Sequence, residues 1–183
     1  MTRSPALDAA LAAFSAELTH WGARMNLVGS TEPAAIARHI EDSLAAAEHL
    51  PQGAAVVDLG SGAGFPGVPL ALARQDLRVT LVEIREKRLA FLRHVARELA
   101  PSLEVVAGSI ESPFRRDFDF ALLRAVAKAE RSLELGLPWV HATGEVWIWS
   151  GPSGEWQGAE RISLASGGAI LRLRAADFSR GTS

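Results

Sequence analysis

Apolar positions change their period near residue 54, which divides the chain into a helical opening and a remainder of alternating elements. Before that point Leu7, Leu11, Phe14, Leu18 and Trp21 recur every three or four residues, the spacing that lines one face of a helix. Ser4-Pro5 supplies an N-cap and a proline for the first turn, so a helix is predicted over residues 5–20, closed by Gly22. Arg24 to Ser30 has the composition of a turn. Thr31 then caps a second helix with Glu32 and Pro33 in its first turn; Ile36, Ile40, Leu44 and Ala47 share one face, and the pattern runs to about Leu50. On this helix Arg38 and Asp42, and His39 and Ser43, are four residues apart, and periodicity alone favours solvated surface pairs.

From Ala54 onward, short β-branched runs alternate with amphipathic stretches. The pattern predicts strands at 54–59, 78–83, 103–107, 117–123 and 143–149, with helices at 66–74, 85–100 and 127–138 between them. Such repetition requires right-handed crossovers and a mainly parallel sheet covered on both faces. After Ser150, Gly151-Pro152-Ser153-Gly154 breaks structure, and residues 161–165 and 169–173 flank Ser166-Gly167-Gly168 as an antiparallel hairpin that closes the sheet. The last five residues, from Ser179, are expected to be disordered. The organisation is therefore α/β: an N-terminal helical extension over 1–50 and a ligand-binding domain over 51–183, folded as one globular unit.

The length, 183 residues, suits one α/β core with an appendage. No apolar run approaches the roughly 20 residues that span a bilayer, and no signal segment opens the chain, so a soluble, cytoplasmic protein is expected; a monomer is expected as well. A net charge of −2 confines any nucleic-acid contact to a local basic patch. The absence of cysteine excludes disulfides, thiolate metal sites and a cysteine nucleophile. No histidine or carboxylate cluster has metal-ligand spacing, so no structural metal is expected.

The densest chemistry lies at Val56-Val57-Asp58-Leu59-Gly60-Ser61-Gly62-Ala63-Gly64-Phe65-Pro66-Gly67, which reads as strand, glycine turn and helix with Pro66 in the first helical turn. A loop of this kind brings backbone amides against a small polar ligand. Two readings are open. Gly62-x-Gly64-x-x-Gly67 fits a dinucleotide fingerprint, with Glu83 placed to take ribose hydroxyls in an NAD-linked oxidoreductase. Asp58-x-Gly60-x-Gly62-x-Gly64 equally suits S-adenosylmethionine, with Glu83 again on the ribose. Asp58 supports the second, because a carboxylate in an apolar strand needs partners such as loop amides or a methionyl ammonium.

If methyl transfer is the reaction, the missing residues narrow it. Without cysteine there is no covalent adduct to a pyrimidine ring, and Leu123-Arg124-Ala125-Val126 stands where amino-directed enzymes carry an Asn or Asp-Pro-Pro-aromatic turn. A ring nitrogen with a free lone pair remains, for which catalysis is alignment and exclusion of water. Arg124, at the end of the fourth strand, stands where the substrate should sit. Lys87, Arg93 and Arg97, with His94, give the helix after Glu83 a basic outer face, and Arg85 and Arg88 sit at its start near the cofactor edge. Trp147 and Trp149 share one face of the fifth strand, where burial is favoured over stacking on a base, and Trp139 and Trp156 lie near loops.

Taken together, Met25-Asn26-Leu27-Val28, Arg38-His39-Ile40-x-Asp42-Ser43-Leu44, the segment Asp58 to Gly67, Lys87-Arg88-x-x-Phe91-Leu92 and Arg124-Ala125 resemble the bacterial 16S ribosomal RNA guanine-N7 methyltransferases, the RsmG or glucose-inhibited division protein B family. The resemblance runs from about Trp21 to Gly151 and implies a Rossmann-like class I methyltransferase fold. It implies S-adenosyl-L-methionine as cofactor, bound by Asp58, Gly60, Ser61, Gly62, Gly64, Phe65 and Glu83, with Ile110 and Glu111 flanking the adenine and Arg124 in the active site. It moves Arg38, His39 and Asp42 from surface decoration to the wall of the substrate cleft, beside Arg85, Lys87 and Arg88, and implies 16S rRNA or the small ribosomal subunit as partner. Two positions depart from the family pattern: Ser109 stands for an arginine, and Ser150-Gly151 for lysine-glycine, which removes a phosphate contact. A cofactor-binding RNA module with weak transferase activity is the corresponding alternative.

Overall fold

Strands buried on both faces account for the apolar runs that begin at residue 54. In the computed structural model, which describes residues 3–25, 32–152, 154 and 156–178, seven strands form one sheet. The elements are α1 (Pro5–Met25), α2 (Pro33–Leu44), β1 (Ala55–Leu59), α3 (Gly67–Ala73), β2 (Arg78–Glu83), α4 (Glu86–Leu99), β3 (Glu104–Ala107), β4 (Phe118–Arg124), α5 (Ala129–Gly136), β5 (Val140–Ser150), β6 (Glu160–Ser163), β7 (Ala169–Arg174) and α6 (Ala175–Phe178). Strand order is β3-β2-β1-β4-β5-β7-β6. The first five strands pair in parallel, and β7 lies antiparallel to both β5 and β6. All five strands expected of the α/β region are present, as is the closing hairpin.

Alternation along the strands sends side chains to two apolar layers. Val56, Leu81, Leu122, Trp147 and Trp149 pack with α1, α2, α3 and α4; Val57, Leu59, Val146 and Ile148 pack with α5 and the turn Leu137–Trp139. The N-terminal helices thus share the core of the sheet. Trp147 and Trp149 are buried as expected, and Trp139 is fully buried too, its Nε1 donating to the Ile110 carbonyl at 2.9 Å.

Several boundaries differ from the sequence reading, each for a local reason. Helix α1 does not stop at Gly22 but continues to Met25. A helical glycine costs about 1 kcal/mol, and here Gly22 is buried while Trp21 packs on Phe91 and His94 of α4. His94 accordingly faces α1, 2.9 Å from Glu17, instead of joining the outer basic face. Ser4 does cap α1, its Oγ accepting the Leu7 amide. In α2 the N-cap is Glu32; of the turn expected from Arg24 to Ser30 the first two residues belong to α1, and residues 26–30, like Thr31, lie outside the described residues. Helix α2 ends at Leu44 and turns follow to Leu50. There Ala46, Ala47 and His49 donate to carbonyls three residues back, and the Arg74 guanidinium, held by Asp76, donates to the carbonyls of Ala47, Leu50 and Pro51. Pro66 is the N-cap of α3, one position before the first helical residue.

The chain runs from β1 outward to β2 and β3, then returns to the other side of β1 as β4, so the sheet reverses direction between β1 and β4. The crevice outside the carboxyl ends of the strands at such a reversal is where open α/β sheets bind ligands. Gly67 sets how closely α3 approaches this crevice. A Cβ there would lie 2.3 Å from Leu81 Cδ2 and 2.8 Å from Asp58 Oδ2. Gly67→Ala is expected to destabilise the fold by about 1–3 kcal/mol through overpacking, read from the midpoint of urea unfolding; an unchanged midpoint would show that α3 can shift without cost.

Candidate active site

The reversal of the sheet places three strand ends together: Leu59 into the glycine loop, Glu83 into α4, and Arg124 into the turn before α5. The loop folds back over β2, with the amides of Gly60 and Ser61 donating to the Val82 carbonyl at 2.9 and 3.1 Å. Gly60, Gly62 and Gly64 all have positive φ, which glycine adopts without steric cost. Ser61 closes the loop by donating from Oγ to the Asp58 carbonyl. Phe65 is buried against Phe14 of α1, and its amide has no acceptor among the described residues.

Asp58 lies at the end of buried β1. Its Oδ2 accepts the Gly67 amide at 2.9 Å, while Oδ1 is buried without a hydrogen-bond partner. Burial pushes the carboxyl up to about 7, against the opposing pull of the Gly67 N–H and the Arg124 charge. An unpartnered carboxylate oxygen at the glycine loop suits a ligand that brings a cationic donor. Glu83, also buried, is held differently from the sequence expectation. Its Oε1 accepts the Ile84 and Arg85 amides, both at 2.9 Å, and its Oε2 accepts the Gly62 amide at 3.0 Å, so the same carboxylate shapes the loop. A carboxylate has about four acceptor positions, and three are used. Ile84, 65% exposed next to Glu83, offers an apolar face that the sequence reading did not single out.

On the same edge, Ile110 is half-buried after β3, its carbonyl held by Trp139, and Glu111 is exposed and paired with Arg131 at 2.8 Å. Ser109 accepts the Glu111 amide. Arg85 and Lys87 are exposed at the start of α4, and Arg88 turns toward the loop, 3.7 Å from Glu83.

Arg124 joins this edge to α2. Its Nη2 lies 3.1 Å from Asp42 Oδ2 and 2.7 Å from His39 Nδ1; its Nη1 reaches the His39 carbonyl at 3.2 Å and the Ser43 hydroxyl at 3.5 Å. The guanidinium carbon also stands 5.8 Å from the centre of the Phe65 ring, within cation–π range. Trp149, paired with Arg124 across β4 and β5, donates from Nε1 to the Asp42 carbonyl at 3.1 Å. Asp42 and Ser43 are buried, His39 is half-buried and Arg38 is exposed. The solvated-surface reading of this segment therefore holds only for Arg38: Asp42 pairs with Arg124, and Ser43 donates to the His39 carbonyl at 2.6 Å. Asp42, sequestered in this way, builds the wall of the cleft from within. Ala125 follows Arg124 with φ of 54°, a left-handed backbone that costs an alanine about 1–2 kcal/mol.

Two outcomes follow from these contacts. Because the folded pKa of Asp58 is raised above the ordinary carboxylate value of about 4, its contribution to stability is complete below that value and is lost as pH rises through about 7. Asp58→Asn removes the titration, so in ligand-free urea unfolding the variant should gain on the wild type between about pH 5 and pH 8; a pH-independent difference would contradict the assignment. Arg124→Ala strands the buried Asp42 carboxylate and should cost about 3 kcal/mol, with part recovered in the double variant carrying Asp42→Asn. A double-variant loss equal to the sum of the two single-variant losses would show that the pair is not coupled.

The chain is similar to a family of known proteins. Residues 8–168 match the family model described as rRNA small subunit methyltransferase G. A protein of that name from Gluconobacter oxydans (strain 621H) is 36% identical over 180 residues, covering 91% of this chain and 92% of the relative. Its namesake from Mycobacterium leprae (strain TN) is 43% identical over 113 residues, but that match spans only 46% of the mycobacterial protein. Among solved structures, an RNA methyltransferase from Salinibacter ruber in complex with S-adenosyl-L-homocysteine superposes with a TM-score of 0.60 at 19% identity, covering 81% of this chain and 94% of that one. A SAM-dependent methyltransferase from Aquifex aeolicus gives 0.59 at 14% identity, covering 79% and 94%.

Proposed function

The chain belongs to the rRNA small subunit methyltransferase G family, and on that premise we propose that it transfers a methyl group from S-adenosylmethionine to N7 of one guanine in 16S ribosomal RNA. The observation that carries this reading is the Arg124 cluster beside the glycine loop: a cofactor cradle with a buried, half-satisfied Asp58, and across from it a cleft wall held by a side chain from β4. The family assignment sets the NAD-linked alternative aside.

Bound S-adenosylmethionine supplies an electrophilic methyl on a sulfonium, and the guanine N7 lone pair needs no base to attack it. The residues of this chain therefore bind, orient and exclude water. Asp58 receives the cationic end of the methionyl group at its unpartnered oxygen, which offsets the cost of its burial. Glu83 offers its remaining acceptor capacity to the ribose while its other lone pairs hold the loop. The Phe65 amide and the Gly60 backbone line the cofactor, Ile84 covers one face of the adenine, and Ile110 and Glu111 border it. Arg38, Arg85, Lys87 and Arg88 offer positive charge to the RNA backbone at the rim. Asp42 serves through Arg124 and does not meet the RNA itself.

Incubation with labelled S-adenosylmethionine and small subunits from a strain lacking the modification should place label on one guanine. Cofactor binding without label transfer would favour the binding-module alternative instead. Glu83→Ala should weaken S-adenosylhomocysteine binding by about 1.5–3 kcal/mol in calorimetry, and an unchanged Kd would refute the ribose role.

A further inference from the structure

His39 lies where α2, Arg124 and the glycine loop meet. Its Nδ1 is 2.7 Å from Nη2 of Arg124. A guanidinium can only donate, so Nδ1 is the acceptor and carries no proton. In a neutral imidazole the single hydrogen then sits on Nε2. Burial, and next the Arg124 charge, hold the His39 pKa below its ordinary value, so the ring is neutral near pH 7. The ring also packs against Phe65, with centroids 5.3 Å apart, beside the backbone that lines the cofactor. Nε2–H has no acceptor among the described residues, and the side chain is only half-buried. The cleft wall thus presents one hydrogen-bond donor whose tautomer is fixed by an arginine behind it.

We propose that His39 identifies the base, its Nε2–H donating to O6 of the target guanine. The inference rests on the guanine-N7 reading above. When N7 must attack the methyl group, its lone pair is unavailable for recognition, and the neighbouring handle on that edge of the base is the exocyclic group at C6. Guanine presents an acceptor there and adenine an amino donor. A histidine free to switch tautomer would accept either; one whose Nδ1 is held by Arg124 favours O6 and opposes N6. A neutral donor also suits the chemistry, since methylation at N7 leaves the base cationic and an imidazolium, lysine or arginine in this place would oppose the developing charge. Arg124 is then a positioning residue. Its two terminal nitrogens are committed to His39, Asp42 and Ser43, and it reaches the base only through the ring it orients.

The test compares substrate RNA carrying guanine at the target with the same RNA carrying 2-aminopurine, which keeps N7 but lacks O6. His39→Asn retains a carbonyl near the Nδ1 position for Arg124 and loses the distal donor; His39→Gln extends an amide N–H toward the Nε2 position. The wild type should favour guanine in kcat/KM by at least about tenfold, the value of one neutral hydrogen bond. His39→Asn should lose about that factor on guanine and little on 2-aminopurine, so that the ratio falls toward one, while S-adenosylhomocysteine affinity and the thermal midpoint stay at wild-type values. His39→Gln should restore part of the ratio. If the wild type modifies guanine N7 but His39→Asn keeps the full ratio, the O6 contact is overturned and the activity stands. If the wild type modifies no guanine N7, the activity itself is wrong and the O6 contact falls with it.

Discussion

The buried pair of Arg124 and Asp42 is the constraint on which the site depends. Each ion alone would be costly to bury; together, with the Ser43 hydroxyl and the His39 carbonyl sharing the guanidinium, they fasten α2 to the reversal point of the sheet. Trp149 repeats the attachment from the neighbouring strand through the Asp42 carbonyl. Without these two attachments α2 would be held only by its apolar face on the core and by the contact of His39 with Phe65. With them, one wall of the cleft is set by the same strand ends that set the other.

The two acidic strand ends divide the work on the opposite wall. Glu83 spends most of its acceptors on the amides of Gly62, Ile84 and Arg85 and so fixes the loop before any ligand arrives. Asp58 holds α3 through Gly67 but keeps one oxygen unmatched. Preorganisation and readiness for a cation thus reside in different carboxylates, and the unmatched one carries the raised pKa.

Much of this was legible in the sequence where the chemistry is local. Runs such as Val56-Val57 and Leu81-Val82 carry strand character in their side chains, and the Asp58 to Gly67 segment announces a ligand loop because few other uses require so many glycines between strand and helix. The motifs that suggested the methyltransferase family agree with the family model that matches residues 8–168. What could not be read is non-local. Arg38/Asp42 and His39/Ser43 have the same spacing whether they face water or an arginine more than eighty positions away, and only the fold decides between them. Helix ends differ for a related reason: α4 provides the packing that carries α1 past Gly22, and beyond Leu44 the chain closes turns that Arg74 ties from the end of α3.

The length of those attachments along the chain has a consequence for how the protein comes into being. Helix α2 is synthesised early, yet its partners Arg124 and Trp149 follow 82 and 107 positions after Asp42. Closing contacts across such separations costs chain entropy and slows folding. The attachment of α2 to the sheet is therefore incomplete on a nascent chain that ends before β5, and this wall of the cleft is among the last features to mature.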